Sequence, residues 1–171
     1  IRIDPQTGAG TVVTALQSAA DIRGLAFSLS GVLYGIRNGG SAGGTTDPDE
    51  LVTINVSTGA VTLIGKTQHI AIQGLACASN GTLYGWDLAH GLVTINTSTA
   101  ASAYVNAAAS QAGIDIQGLA FGSSGTLWGA RDKLYTINLN TSAATLVGSG
   151  GYMDVRGIEV FDVPLRRPGI I

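Results

Sequence analysis

The sequence predicts an all-β fold: a four-bladed β-propeller of about four antiparallel strands per blade, its terminal blade closed by N- and C-terminal strands. Three observations predict it. A segment close to Asp-Ile-x-Gly-Leu-Ala-Phe recurs four times. Between recurrences the chain breaks into short runs rich in β-branched and aromatic residues, bounded by Gly, Asn or Ser, the pattern of strands and tight turns. The repeat glycines Gly24, Gly74, Gly118 and Gly157 stand 50, 44 and 39 residues apart, which suits a four-stranded blade.

The elements follow in chain order. The recurring segment, strand a, reads Asp21-Ile-Arg-Gly-Leu-Ala-Phe27, Ala71-Ile-Gln-Gly-Leu-Ala-Cys77, Asp115-Ile-Gln-Gly-Leu-Ala-Phe121 and Asp154-Val-Arg-Gly-Ile-Glu-Val160. Ser/Asn-Gly turns lead three of these into strand b, Gly31-Val-Leu-Tyr-Gly35, Gly81-Thr-Leu-Tyr-Gly85 and Gly125-Thr-Leu-Trp-Gly129; the Asn80-Gly81 pair is a hairpin-turn signal. Strand c is Leu51-Val-Thr-Ile-Asn55, Leu92-Val-Thr-Ile-Asn96 and Leu134-Tyr-Thr-Ile-Asn138. Strand d follows a polar turn, as in Ala60-Val-Thr-Leu-Ile64 and Ala144-Thr-Leu-Val147. The only helix-compatible stretch, Ala107-Ala-Ala-Ser-Gln111, spans barely a turn.

Both ends contribute to the last blade. Ile1-Arg-Ile-Asp4 aligns with strand c and Gly10-Thr-Val-Val13 with strand d, and Asp4 to Val13 keeps the register of Asn55 to Ile64. The expected blades are 1–14 with 155–162, 22–65, 72–105 and 116–148, within a domain of 1–162 followed by a tail, 163–171. Strand b of the terminal blade has no recognisable counterpart. Pro164 and Pro168 bar the tail from serving as a central strand. The chain begins at Ile1, inside a strand pattern, which reads as a processed or partial chain.

Composition excludes several classes. Charged residues make up 12% of the 171, against about 25% in an average soluble domain. The net charge of −2 provides no basic field for nucleic acid. Mean hydropathy is +0.32, yet no apolar run approaches the ~20 residues of a membrane span. A single cysteine, Cys77, rules out an internal disulfide; it replaces Phe27 and Phe121 of the repeat and reads as a small buried hydrophobe.

These repeats resemble the secreted bacterial β-propeller repeats of unknown function. The phrases that carry the resemblance lie at residues 24–27, 51–55, 57–65 and 81–85. Some members of that group carry a C-terminal sorting signal beginning Val-Pro-Glu-Pro; the matching place here is Val163-Pro-Leu-Arg-Arg167, which departs after two residues. The resemblance implies a propeller fold and export, and no particular activity.

In such a blade the a–b and c–d turns share one face, and the b–c and d–a loops the other. The a–b and c–d turns are uniform, whereas the b–c loops vary in length. Loops on a rigid scaffold are where function concentrates, so the loop face is the expected ligand face, with Arg37, Trp86, Asp87, His90 and Arg131 as its candidates. Trp86 beside Asp87 and His90 has the makings of a sugar-stacking platform.

Two further sets would line the channel. Asp21, Asp115 and Asp154 occupy equivalent positions, where carboxylates could hold Ca²⁺ through oxygen ligands or cap their own turns. Arg23, Gln73, Gln117 and Arg156 each precede a repeat glycine and would attract an anion or bond blade to blade. Asp47, Asp49 and Glu50 read as a solvated loop. The run Gly39-Gly-Ser-Ala-Gly-Gly44 lacks the Lys of a phosphate loop, which excludes nucleotide binding. His69 and His90, the only histidines, do not make a zinc set. Asn-x-Ser/Thr occurs at Asn55, Asn80, Asn96 and Asn140, all in turn positions.

The functional expectation is a non-enzymatic extracellular or cell-surface module for self-assembly or protein interaction. Its partners would be copies of itself, in an oligomer or filament, or another surface protein or glycan. The tail residues Val163, Leu165, Ile170 and Ile171 are the expected assembly surface. A lectin-like carbohydrate binder using the loop face is the alternative, and a hydrolase or lyase comes third. No cofactor is expected beyond the Ca²⁺ candidate.

Overall fold

The structure is a computed structural model that describes residues 1–17, 21–39, 47–111 and 113–160. The tail candidates Val163, Leu165, Ile170 and Ile171, and most of the Gly-rich loop after Asn38, lie outside them. Every regular element among the described residues is a strand.

Three antiparallel sheets of four strands succeed one another along the chain. The first holds β3 (Ile22–Phe27), β4 (Leu33–Arg37), β5 (Glu50–Ile54) and β6 (Val61–Lys66). The second holds β7 (Ile72–Cys77), β8 (Leu83–Asp87), β9 (Gly91–Ile95) and β10 (Ser102–Tyr104). The third holds β11 (Gly118–Phe121), β12 (Leu127–Ala130), β13 (Leu134–Ile137) and β14 (Ala144–Gly148). Each is a meander in which sequence order equals spatial order. Before them, β1 (Arg2–Ile3) and β2 (Gly10–Thr11) form a two-stranded hairpin.

The repeat recurs in atomic detail at the c–d turns. Asn55 Oδ1 accepts from the amides of Ser57 and Thr58, Asn96 Oδ1 from Ser98 and Thr99, and Asn138 Oδ1 from Asn140 and Thr141. Asp4 does the same for Gln6 and Thr7, and those hydrogen bonds lower its carboxyl pKa. The hairpin β1–β2 is therefore a c–d unit like the other three. Each turn closes through a left-handed residue. Gly8 and Gly59 adopt φ of 72° and 71° without strain, whereas Ala100 and Ser142 hold φ of 63° against the preference of a side chain.

Strand a packs on strand a across each junction between sheets. An added Cβ on Gly24 would stand 2.9 Å from Leu75 N, on Gly74 3.1 Å from Leu119 N, and on Gly118 3.1 Å from Ile158 N. Only glycine permits backbones that close. Within each sheet the strand-b glycine also makes room for branched neighbours. A Cβ on Gly35 would meet Val52 and Ile54 at 3.2 Å, and one on Gly85 would meet Ile72 at 2.7 Å. Two cores result, one around Ile36, Leu51, Leu75 and Val93, the other around Trp86, Leu119, Leu127 and Ile137.

The outer edges repeat a second contact. The end of strand d rests on the c–d turn of the next sheet, Gly65 on Thr99 and Ala100, and Asn106 Nδ2 on Thr141 O at 3.3 Å. The segment after β2 does likewise: Gln17 N donates to Gly59 O at 2.9 Å and Gln17 Nε2 to Thr58 O at 3.0 Å. The hairpin thus stands one blade before the first sheet. Residues 155–160 stand one blade after the third, anchored by Val155 N to Arg131 O at 2.9 Å. They carry no strand assignment.

A closed ring was the expectation; among the described residues the inner strands of the three sheets meet at β3 with β7 and β7 with β11, and these contacts alone do not close one. An added Cβ on Gly157 meets no described atom within 4 Å, unlike its three counterparts. On the other side of that junction, Leu25 and Phe27 of β3 are 53% and 59% exposed, whereas Leu75 and Leu119 are 2% and 5%.

Candidate functional site

Members of the two channel sets predicted separately join in two groups of ion pairs and hydrogen bonds, one around Asp21 and Arg23, the other running from Gln117 through Asp115, Arg131 and Asp154 to Arg156. At three of the four repeat glycines the long side chain that precedes the glycine folds back on the Asp two before it. Arg23 pairs with Asp21 at 3.2 Å, Gln117 Nε2 donates to Asp115 at 3.2 Å, and Arg156 Nε donates to Asp154 at 3.1 Å. Arg131 ties Asp115 to Asp154, reaching the latter at 3.4 Å. Gln73 follows Ala71, so it has no carboxylate at that spacing; it is half-buried in β7. The three Asp residues therefore face guanidinium or amide donors. Among the described residues, no three His, Cys, Asp or Glu side chains converge as a metal site would require.

Asp49 corrects the picture of a solvated acidic loop. It is fully buried, and its Oδ2 accepts from Ile72 N at 2.7 Å, stapling the first b–c loop to the start of β7. Arg23 approaches its Oδ1 at 3.9 Å, and that oxygen has no hydrogen-bond partner. Burial outweighs the Ile72 amide and the arginine, so the carboxyl is pushed up to about 6. Glu50 is not free either: Arg37 grips it across the β4–β5 ladder, with Nε at 2.9 Å.

Trp86 and Asp87 also need correction as ligand contacts. Trp86 is fully buried, and its Nε1 donates to Ile114 O at 3.2 Å; the indole fills the second core and offers no face to a sugar. Asp87 is buried too, with Oδ1 accepting from the amides of Ala89 and His90. Of that trio only His90 reaches the surface, at 48% side-chain exposure.

The convergence that the sequence concealed lies beside it. His90 Nδ1 shares a hydrogen bond with the Tyr104 hydroxyl at 3.0 Å and lies 3.6 Å from Asp87. The Tyr104 ring touches both histidines, edge-on to His69 with centroids 4.3 Å apart and tilted against His90 at 4.7 Å. His69 Nδ1 shares a 2.6 Å hydrogen bond with Ser102 Oγ. Burial holds His69 below the ordinary histidine value and raises the Tyr104 phenol, which the Asp87 charge raises further. Cys77 is half-buried with its thiol pKa raised by burial, which disfavours a reactive thiolate. One open groove of about 520 Å³ lies on the opposite, tight-turn side, between Asn80–Thr82 and Thr94–Ser98. No titratable side chain lines it.

Neither family models nor curated proteins match this sequence. Solved structures do match the fold. A chain of a nidogen/laminin complex superposes at TM-score 0.59 and 16% identity over 81% of this chain; this chain spans 52% of its length. The computationally designed protein Ika4 superposes at TM-score 0.51 and 16% identity, over 90% of this chain and 89% of its own. The PQQ-bound aldose sugar dehydrogenase of Streptomyces coelicolor follows at TM-score 0.49, too loosely to carry any argument. At such identities the likeness is one of fold, and the fold this chain shares with these structures is that of β-propeller-like proteins.

Proposed function

We propose that this chain is a non-enzymatic interaction module, extracellular or cell-surface, that engages another polypeptide through the uncovered face of its first blade. One observation carries the reading. Leu25 and Phe27, which share one face of β3, are exposed, and so are Ile1 and Ile3 of the hairpin. Large apolar side chains left exposed on one strand face, as Leu25 and Phe27 are, mark an interaction site or an assembly contact. The nidogen/laminin match is named for a complex, which agrees with such a role without identifying a partner. A hard cation would have to displace Arg23, Arg131 and Arg156 to reach the carboxylate ring, so the reading takes no metal. The hairpin and residues 155–160 would be the outer and inner parts of one fourth blade.

Sedimentation of the wild-type chain and of a Leu25→Ser/Phe27→Ser variant tests this. The expected result is association of the wild type that rises with concentration, and a monomeric variant of unchanged thermal stability. Equal behaviour of the two would overturn the reading.

A further inference from the structure

The groove of about 520 Å³ on the tight-turn side belongs to the second sheet alone, between the β7–β8 turn and the β9–β10 turn. Every residue that lines it is described, and its volume falls within the roughly 300–1,000 Å³ of small-molecule sites. The other sheets do not carry this lining. In the repeat register Thr82, Thr97 and Ser102 of the groove stand where the first sheet has Val32, Val56 and Val61. The third sheet shares only the first of these, as Thr126, and has Leu139 and Ala144 at the others. Ala103 of the groove stands where the other two sheets have the larger Thr62 and Thr145. Hydrogen bonding differs too. In the first sheet Ser28 and Ser30 share a hydrogen bond at 2.9 Å, and in the third Ser124 and Thr126 share one at 3.0 Å. In the β7–β8 turn, Asn80 Oδ1 instead accepts from Thr82 N at 3.0 Å. Asn96 Oδ1 accepts from Ser98 N at 2.9 Å and Thr99 N at 3.1 Å. Both carboxamides are thus held by their oxygens. Their Nδ2 groups, and the hydroxyls of Thr82, Thr97 and Ser98, make no hydrogen bond among the described residues.

We infer that this groove binds a neutral, polyhydroxylated ligand, a short stretch of an uncharged glycan. No ionisable side chain lines it, so nothing there would offset the desolvation of a phosphate, carboxylate or ammonium group. Sugar hydroxyls donate and accept at once, which suits a row of amide donors and of hydroxyls that do both. A peptide strand takes its specificity from pockets for alternate side chains, and this open groove carries hydrogen-bonding groups instead. Because the turns hold both carboxamides in place beforehand, the donors lose little freedom on binding. No aromatic ring lines the groove. Affinity therefore rests on hydrogen bonds exchanged against water, and is expected at about 1 mM for a hexasaccharide. The groove belongs to a different sheet from Leu25 and Phe27 and does not need them.

The test titrates the full, ¹⁵N-labelled chain with maltohexaose, cellohexaose, mannohexaose and chitohexaose. At least one should give saturable amide shifts confined to residues 80–82 and 94–103, equal at about 50 and 500 mM NaCl because no charge is involved. A Thr82→Val/Thr97→Val variant carries the residues of the first sheet, so its melting temperature should be unchanged, and it should bind at least about tenfold more weakly. Ala103→Thr, with the residue of both other sheets, narrows the groove and should weaken binding at least about threefold. No saturable shift with any of the four sugars would overturn the inference. So would shifts centred elsewhere, binding that weakens with salt, or unchanged affinity in both variants. Equal shifts from a neutral Gly-Ser repeat peptide would assign the groove to polypeptide and overturn it as well. The interaction reading is tested separately, by whether association needs Leu25 and Phe27.

Discussion

The two faces of β3 have opposite fates. Gly24 and Ala26 point toward β7 and are buried; Leu25 and Phe27 point the other way and are exposed. In β7 the same Gly-Leu-Ala motif has both faces covered, because a sheet stands on each side of it. Burial therefore follows the neighbour and not the residue. The motif prepares a strand for two junctions, and among the described residues the first blade makes one, with β7.

Substitutions at matched positions break this comparison most sharply. Gly24→Val forces a side chain into the β7 backbone and should cost about 4 kcal/mol, above the usual range for overpacking because backbone and not side chain must give way. Gly157→Val should change stability by less than about 0.5 kcal/mol, as at an unconstrained site. Urea unfolding of the two variants measures the contrast; equal losses would mean that residues 155–160 are as tightly packed as β3. Next in size is the leucine pair. Leu75→Ala should cost about 3 kcal/mol through lost burial and a residual cavity, and Leu25→Ala less than about 1 kcal/mol. Similar melting temperatures for the leucine variants would show that the β3 face is covered in solution.

Asp49 sharpens the comparison through pH, since it belongs to the closed junction between the first two blades. Its carboxyl binds a proton more tightly in the folded chain, at about 6, than at its ordinary 3.8. Its contribution to stability is thus fully present below about pH 4 and is lost as pH rises through 6. Asp49→Asn keeps an acceptor for Ile72 N and removes the buried charge. The variant should gain about 2 kcal/mol on the wild type between pH 4 and 7. Parallel stability profiles would mean that Arg23 fully compensates the charge. The smallest effect is expected at the turns. Asn55→Ala removes two amide acceptances and should cost about 1 kcal/mol, while Asp4→Ala, on the hairpin outside the three-sheet body, should leave the main unfolding transition in place.

Much of the architecture could be read from the sequence because its determinants are local. Asn-x-x-Thr turns, paired strand glycines and β-branched runs each act over a few residues, and they recur. The c–d identity of residues 1–11 was legible for the same reason. The site was less so. Asp21 with Arg23, and Asp154 with Arg156, sit two apart and could have been paired from spacing alone. The His69–Tyr104–His90 cluster could not, because it joins a d–a loop to the outer strand of the next blade, across 35 residues from His69 to Tyr104. Trp86 misled because a tryptophan beside polar residues has the same local pattern at a rim and in a core. Its burial is decided by Ile114, which comes from the following d–a connection. Asp49 misled likewise: its acceptor role is toward Ile72 N, in a different blade.

The glycine-to-backbone contacts between inner strands bear on ring size. Blades are wedges, and the angle between neighbours grows as their inner edges draw together while the outer contacts hold. Gly24, Gly74 and Gly118 let those inner edges close until main chain meets main chain. Each wedge then subtends a larger share of the circle, and fewer are needed to complete it. Alanine at all three positions would prise the inner edges apart, narrow the angle and enlarge the circle on which the blades lie, a change that small-angle scattering would register as a larger radius of gyration.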